Sequence, residues 1–365
     1  MKIATIVGAR PQFIKSAPLS GKLRKHFTEV LVHTGQHYDQ NMSNVFFSDL
    51  DIPIPDYNLD IGQGSSGYHM SKIFKKIEQV FQKEKPDLII VFGDTNSTMA
   101  GAISAVQHHI PVAHVEAGPR NTKLDVPEML NRLVTDRISS LLFCATKRNY
   151  ENLKTENIHH NAHYVGDIMY ELYLRQLHKI RKNKKILNKL GLKPNEYHIA
   201  SFHRAENVDS MKRSEEILKG FIISDQKIVF SLHPRTKKNL ISSGLLNMLE
   251  NSSNVLQIEP VGYNDFLSLA YFSNKIITDS GGLQREAYFM EKPCINIYDH
   301  TYWPEIEEDG WQVVTGMDAK KISDAIKGFR PKKKQSGIFG DGKTSEKIVE
   351  IIIKFNREKA FDFNP

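Results

Sequence analysis

Cysteine is almost absent: Cys144 and Cys294 are the two in 365 residues, and they form no C-x-x-C pair. That scarcity excludes a disulfide-built scaffold and a zinc finger, and it fits a reducing cytosol. Long hydrophobic runs are missing too. No stretch approaches the ~20 apolar residues that a membrane span needs, so a soluble, cytoplasmic protein with no membrane partner is expected. The opening segment, MKIATIVGARPQF, has an apolar run of only Ile3 to Val7. It is too short for a signal-peptide core and carries no small-residue cleavage pattern, so it reads as a first buried strand. Charge of one sign is not in large excess: Lys and Arg number 49 against 42 Asp and Glu, a formal +7. Much of the surplus lies in two local runs, Arg181–Lys185 and Lys332–Lys334. Such runs read as solvated linker or surface, and no RNP or zinc-finger signature accompanies them, so no nucleic-acid partner is expected.

What is present is an ordinary globular composition, 40% apolar and 25% charged, in a chain long for a single core. Short β-rich runs end in turn residues and lead into amphipathic stretches, the signature of βαβ units and a parallel sheet. In the first half the strands read as Lys2–Val7, Glu29–His33, Leu88–Phe92, Val112–Val115, Leu141–Cys144 and His163–Val165. Helical stretches such as Gln12–Lys25, Gly67–Gln82, Asn96–His108 and Pro127–Ser139 lie between them. A Lys-rich segment, Gln176–Lys189, precedes a second series of strands, His198–Phe202, Lys227–Leu232, Val255–Ile258, Lys275–Thr278, Cys294–Ile297 and Gln312–Val314. Two such series predict an α/β protein of two Rossmann-like, doubly wound domains, with a ligand in the cleft between them. The expected boundaries are 1–170 and 171–343, with a terminal helix over 344–365 packed back on the first domain.

Polar clusters stand where these strands stop. Gly8-Ala9-Arg10-Pro11-Gln12 opens a helix that carries Lys15, and Arg10 and Lys15 suit a diphosphate at a helix N-terminus. The turn lacks the G-x-G-x-x-G pattern, which disfavours NAD chemistry, and it reads equally as a plain strand-to-helix turn. Asp94 in GDTNST and Glu116 in EAGPR follow apolar strands, and Glu128 follows Pro127 with Asn131 and Arg132 on the next turn. Taken singly, Asp94 reads as a helix cap and Glu128 as a partner of the helix dipole. Taken together, three carboxylates suit proton transfer at a weakly acidic sugar carbon.

In the second half, His203 with Arg204 and His233 with Arg235 suit a charged diphosphate. The His108, His109 and His114 spacing straddles a helix-to-strand turn and lacks a ligand set, so no metal is expected. The run Thr278-Asp279-Ser280-Gly281-Gly282 precedes a helix on which Glu286 lies one to two turns in. Amides at that helix start suit a phosphate, Ser280 assists, and Glu286 suits a pair of ribose hydroxyls.

Taken in order, GARPQFIK, HTGQHYDQNM, GDTNSTMAG, HVEAGPR, PEMLNR, HRAEN, HPRT, EPVGY and DSGGLQREA resemble the non-hydrolysing UDP-N-acetylglucosamine 2-epimerases of the GT-B fold. The resemblance runs from Met1 to about Asp318. The wording of GARPQFIK, GDTNST and VGDIMY is most similar to the branch acting on UDP-2,3-diacetamido-2,3-dideoxyglucuronate. It implies anti elimination of UDP with loss of the C2 proton, a 2-acetamidoglucal, and re-addition with protonation on the opposite face. It implies no cofactor and a homodimer. Asp94, Glu116 and Glu128 become the proton-transfer candidates. Arg10, Lys15 and His203 match active-site positions, and Ser280, Gly281, Gly282 and Glu286 match the UDP motif.

Three wordings depart from the family's: Pro127-Glu128-Met129 for PEE, Pro119 in EAGPR, and Thr301-Tyr302-Trp303-Pro304-Glu305 for T-x-R-P-E. They bear on which sugar is taken and on regulation. The alternatives are a hydrolysing epimerase, in which water adds to the glucal, and a GT-B glycosyltransferase, which needs an acceptor and not three strand-end carboxylates. A non-catalytic UDP-sugar sensor would tolerate loss of the acids, and all three are present.

Overall fold

The computed structural model describes residues 1–35, 52–62, 64–120 and 127–362, without the side chains of residues 10 and 359–362. Its strands are short apolar runs that the sheet covers on both faces. All of Ile3 to Val7 in β1 (Lys2–Val7), all of β4 (Leu88–Phe92) and all of β5 (Val112–Ala117) are buried. That burial on both faces suits parallel strands under helical layers. With β2 (Thr28–His33), β3 (Tyr57–Asn58), β6 (Leu141–Cys144) and β7 (Ala162–Tyr164) they form a parallel sheet in the order β3-β2-β1-β4-β5-β6-β7. The two-residue edge strand β3 is one that apolar patterning did not reveal. The order reverses between β1 and β4, which opens a crevice at their carboxyl ends, where Gly8 and Gly93 lie.

The second sheet repeats this plan. Its strands are β8 (His198–Ser201), β9 (Ile228–Ser231), β10 (Val255–Ile258), β11 (Ile276–Thr278), β12 (Cys294–Asn296) and β13 (Gln312–Val314). They pair in parallel in the order β10-β9-β8-β11-β12-β13, and the reversal between β8 and β11 lies next to His203 and Ser280. The Phe230 ring stacks on Phe202 at 5.3 Å and meets the edge of Phe221, which fastens this sheet to its helical layer.

The first four helices of the first unit among the described residues are α1 (Arg10–Leu23), α2 (Ser66–Glu84), α3 (Asn96–Gln107) and α4 (Pro127–Ile138), of which α1 and α4 carry charged site residues. The chain divides into two compact units, Met1–Leu174 with Gly337–Pro365, and Arg175–Ser336. The first junction falls a few residues after the expected 170/171, and the second a few residues before the expected 343/344. The Gln176–Lys189 segment, read as linker, is instead helical within Ile168–Lys182 and Lys185–Lys189, because Ile180, Ile186 and Leu187 are buried beneath its charges.

The return of the chain to the first unit is fixed locally. The Glu171 carboxylate accepts from Ser345 N at 2.7 Å and from its hydroxyl at 2.6 Å, at the start of the terminal helix Thr344–Asp362. Lys22 reaches Glu346 of that helix at 2.6 Å. Gly166 is needed in this junction: its φ is +90°, and a Cβ there would lie 3.0 Å from the Phe339 carbonyl. Among the described residues no helix is long and apolar enough to cross a membrane. One literal G-x-G-x-x-G run, Gly62 to Gly67, escaped the sequence reading. It leads into α2 beyond the edge strand β3, away from the central reversal where a dinucleotide fingerprint works.

Candidate active site

In the first unit the GARPQ turn is built around Gln12. Its Oε1 accepts from the Gly8 and Ala9 amides at 2.7 and 3.0 Å, and its Nε2 donates to the Phe92 carbonyl and the Thr98 hydroxyl. One side chain therefore ties the end of β1 to the end of β4. The side chain of Arg10 lies outside the described residues. Lys15, one turn further along α1, is buried and meets Glu116 Oε2 at 2.8 Å. Gly93 makes room for this ion pair: a Cβ there would sit 2.9 Å from Lys15 Nζ, and its φ of +65° disfavours any side chain.

Glu116 is the strained residue. Its φ is +71°, and the pairing of β5 with β6 shifts register between Val115 and Ala117, so Glu116 forms a bulge. Bulges of this kind re-aim a side chain at the rim of a sheet. Arg132 on α4 receives it: Nη1 donates to the Glu116 carbonyl, and Nη2 lies 3.4 Å from Glu116 Oε1 and 2.6 Å from Asp94 Oδ2. Burial opposes the Arg132 charge, but Asp94, Glu116 and Asp136 outweigh it and raise its pKa above the ordinary arginine value.

Asp94 does not cap α3; Thr95 does, accepting from Thr98 N. Asn131 instead donates to the Asp94 carbonyl at 2.9 Å. Glu128 is exposed on the first turn of α4, three and four residues before Asn131 and Arg132 and so on their side of the helix. The first unit thus joins Lys15, Glu116, Arg132 and Asp94 in one charged array, with Glu128 on the helix that supplies its arginine.

Behind this array lies a buried support. His114 Nδ1 is 2.7 Å from Asp136 Oδ1, and its Nε2 is 2.7 Å from the Gly93 carbonyl. Asp136 Oδ2 accepts from the Gly118 amide at 3.1 Å and from Arg120 at 2.7 Å. Burial pushes the Asp136 carboxyl up, yet the His114 hydrogen bond and the nearby cations Arg120 and Arg132 more than offset it and hold it below its usual range.

In the second unit the organising group is Asp279, fully buried at the end of β11. It accepts from the amides of His203 and Arg204 and from Asn207 Nδ2, at 3.0 to 3.2 Å. Arg204 donates to the Asp279 carbonyl at 2.7 Å and to the Tyr302 hydroxyl at 2.9 Å, with its guanidinium 4.4 Å from the Tyr302 ring centre and 5.1 Å from that of Tyr298. His203 lies 5.4 Å ring to ring from His233, and His233 caps its helix by accepting from Arg235 N. Arg235 itself is drawn off to Asp209 at 2.5 Å.

Ser280 caps the helix Gly281–Phe289, and neither Gly281 nor Gly282 carries a side chain over that helix start. Its first amides have no partner within the helix. Glu286, buried on the same helix, accepts from the Tyr263 hydroxyl at 2.9 Å. The structure therefore brings His203, Arg204, His233 and Ser280 around Asp279, and sets Glu286 two turns into the Ser280 helix. Among the described residues no group of three or more His, Cys, Asp or Glu is placed to hold a metal ion.

Residues 21–353 match the family model described as UDP-N-acetylglucosamine 2-epimerase. The chain belongs to that family. A UDP-N-acetylglucosamine 2-epimerase homolog of Methanococcus maripaludis is 47% identical, over 96% of this chain and 99% of its own length. A UDP-2,3-diacetamido-2,3-dideoxy-D-glucuronate 2-epimerase of Pseudomonas aeruginosa is 39% identical, over 97% of this chain and all of its own. The crystal structure of Methanocaldococcus jannaschii UDP-GlcNAc 2-epimerase in complex with UDP-GlcNAc and UDP is 40% identical, with a TM-score of 0.90 over 97% of this chain and 100% of that one. These likenesses and the two parallel Rossmann sheets place this epimerase-family chain in the GT-B fold class.

Several residues of this family member's site were not found from the sequence. Arg132 was seen only as a neighbour of Glu128, His114 only as a weak metal candidate, and Gln12 and Asp279 only as letters within motifs. Tyr263 stood only as the last letter of EPVGY, and Asp136 gave no local signal. Apart from the Gln12 contacts within its own turn, their partners lie 16 to 86 residues away, at separations that no periodicity encodes.

Proposed function

We propose that this family member inverts C2 of a UDP-N-acetylhexosamine without hydrolysis, in the cytoplasm, as a homodimer and without a cofactor. A carboxylate takes the C2 proton while the C1–O bond breaks; the C2–H electrons form the C1=C2 bond, and UDP leaves with the C1–O pair. A carboxylic acid then returns a proton to the opposite face of C2, and UDP reforms the bond at C1. Asp94, Glu116 and Glu128 are the groups for these two transfers. The observation that carries this reading is the array of buried Lys15, Glu116 and Arg132 with half-buried Asp94 in a member of this family. Carboxylates fixed by cations, with Asn131 holding the Asp94 backbone carbonyl, need little reorganisation when the proton moves.

UDP is held, in this proposal, by the second unit. The amides of Gly281 and Gly282 and the Ser280 hydroxyl take the diphosphate with Arg204, while Glu286, steadied by Tyr263, takes the ribose. His203 and His233 face the same turn, and His203 supports the departing phosphate. Two sugars fit the relatives' names: UDP-GlcNAc and its 2,3-diacetamido uronate. Incubation of each in D₂O, followed by NMR, tests the reading. Deuterium at C2 of an intact UDP-sugar is the expected result. Free sugar with UDP would replace it by the hydrolysing reaction, and no incorporation with either sugar would overturn it.

A further inference from the structure

Both ring nitrogens of His114 face oxygens that accept hydrogen bonds. Nδ1 points at the Asp136 carboxylate and Nε2 at the Gly93 carbonyl, each at 2.7 Å, and the residue is fully buried. A neutral imidazole has one donor, so it would leave one of these short contacts without a proton. Asp136 is an unfavourable source of a second proton: burial pushes its carboxyl up, but the His114 contact and the cations Arg120 and Arg132 hold it below its usual range. The two short contacts are both satisfied when the ring donates at each nitrogen, with Asp136 as its counter-ion.

This pair lies between the two loops that carry the reacting acids. Gly93, which precedes Asp94, is held by its carbonyl; Gly118, two residues after Glu116, is held by its amide. We infer that the doubly protonated His114 and Asp136 form a positioning dyad, which sets the Gly93-Asp94 and Glu116-Gly118 turns for proton transfer without touching substrate. The inference rests on the epimerase reading above.

The groups facing the dyad are consistent with it. Arg120 approaches Asp136 from the loop after β5 and is itself pinned by Glu156 through two contacts of 2.6 and 2.8 Å. Arg132 on α4 adds a second positive charge near Asp136, and Cys144 on β6 stays a neutral thiol because burial, with Asp136 nearby, raises its pKa. On the site side stand Glu116, Lys15 and Asp94. Together these charges make Asp136 the shared anion of three cationic groups, so the dyad has one stable arrangement.

The test uses the full chain and two variants. Asp136→Asn removes the anion but keeps size and hydrogen bonds, so the ring retains a single proton. His114→Gln shortens the reach to Gly93. Outer-shell partners of this kind typically cost about 10- to 100-fold in activity when removed. The expected loss is of that size in kcat, with the KM for UDP-sugar and the Kd for UDP within about twofold, because uniform binding is not touched. A destabilised fold alone would lower the amount of active protein and leave the kcat of the folded fraction unchanged, which would overturn the inference. ¹⁵N NMR of the His114 ring separates this idea from the reaction itself. Two protonated nitrogens in the wild type, and one in Asp136→Asn, are expected whether or not a UDP-sugar turns over. A singly protonated ring in the wild type would refute the dyad, whereas an intact dyad with no epimerisation would refute only the reaction.

Discussion

Replacing Lys15 by Met would leave the Glu116 carboxylate in a buried site with one of its two cations gone. The paired side chains are only 6% and 7% exposed, so solvent does little to screen the loss. Removing one partner of a buried ion pair costs about 3–5 kcal/mol, since the remaining charge is stranded. Arg132 remains 3.4 Å from the other Glu116 oxygen, which places the expected loss at the lower end, about 3 kcal/mol. That is a large part of the ~5–15 kcal/mol that a domain has to spare. The double variant Lys15→Met/Glu116→Gln removes the stranded charge and should recover most of the loss.

Hydrogen exchange at the β4 and β5 amides reads the first unit directly. The two tryptophans, Trp303 and Trp311, both lie in Arg175–Ser336, so their emission in urea serves as a reference for the second unit. A loss under about 1 kcal/mol at β4 and β5, typical of a solvated surface pair, would refute the stranded-charge reasoning.

Three further outcomes are expected. Asp94→Asn, Glu116→Gln and Glu128→Gln should each lower turnover by ~10²–10⁴-fold with a much smaller change in substrate binding, as steady-state kinetics would show; normal turnover in all three would remove them from the proton path. Glu286→Ala should weaken UDP by about 1.5–3 kcal/mol in isothermal titration and raise KM more than it lowers kcat, because a ribose contact is made equally in ground and transition states. His198 is buried at the start of β8, and its pKa is pushed down to about 4 by that burial and by the neighbouring charges of Lys275 and Arg330, from an ordinary 6.5. Between those two values the unfolded chain binds the extra proton, so stability should fall as pH drops from 6.5 toward 4 and be steady for this group above 6.5. His198→Phe should flatten that slope in urea melts followed by tryptophan emission.

The two Rossmann series were legible because parallel strands buried on both faces read as continuous apolar runs. Lys2–Val7, Leu88–Phe92, Leu141–Cys144, Val255–Ile258 and Gln312–Val314 are observed with the bounds the sequence suggests. The Gln176–Lys189 segment misled for a physical reason: long Lys and Arg side chains keep their charges in water while the helix buries Ile180, Ile186 and Leu187. The acids were legible as strand-end letters, because loops at the carboxyl ends of parallel strands carry chemistry. Their partners were not, since the Lys15–Glu116, Arg132–Asp94 and His114–Asp136 contacts join different strands and helices.

Glu116 shows why a motif can name an acid and still hide its setting. In a regular strand, alternation would return Glu116 to the face that carries His114, two residues before it. Both would then compete for the same buried layer. The bulge after Val115 breaks that alternation, and Ala117 takes the place opposite Cys144 that Glu116 would have filled. Freed from the ladder, the carboxylate meets Lys15 from α1 and Arg132 from α4, while His114 keeps its contact with Asp136. The left-handed backbone at Glu116 costs about 1–2 kcal/mol. The buried pair with Lys15, whose disruption costs about 3–5 kcal/mol, is enough to hold it there. Strain at one residue and charge pairing at its neighbours are thus one arrangement, and neither could be read from the letters E-A-G alone.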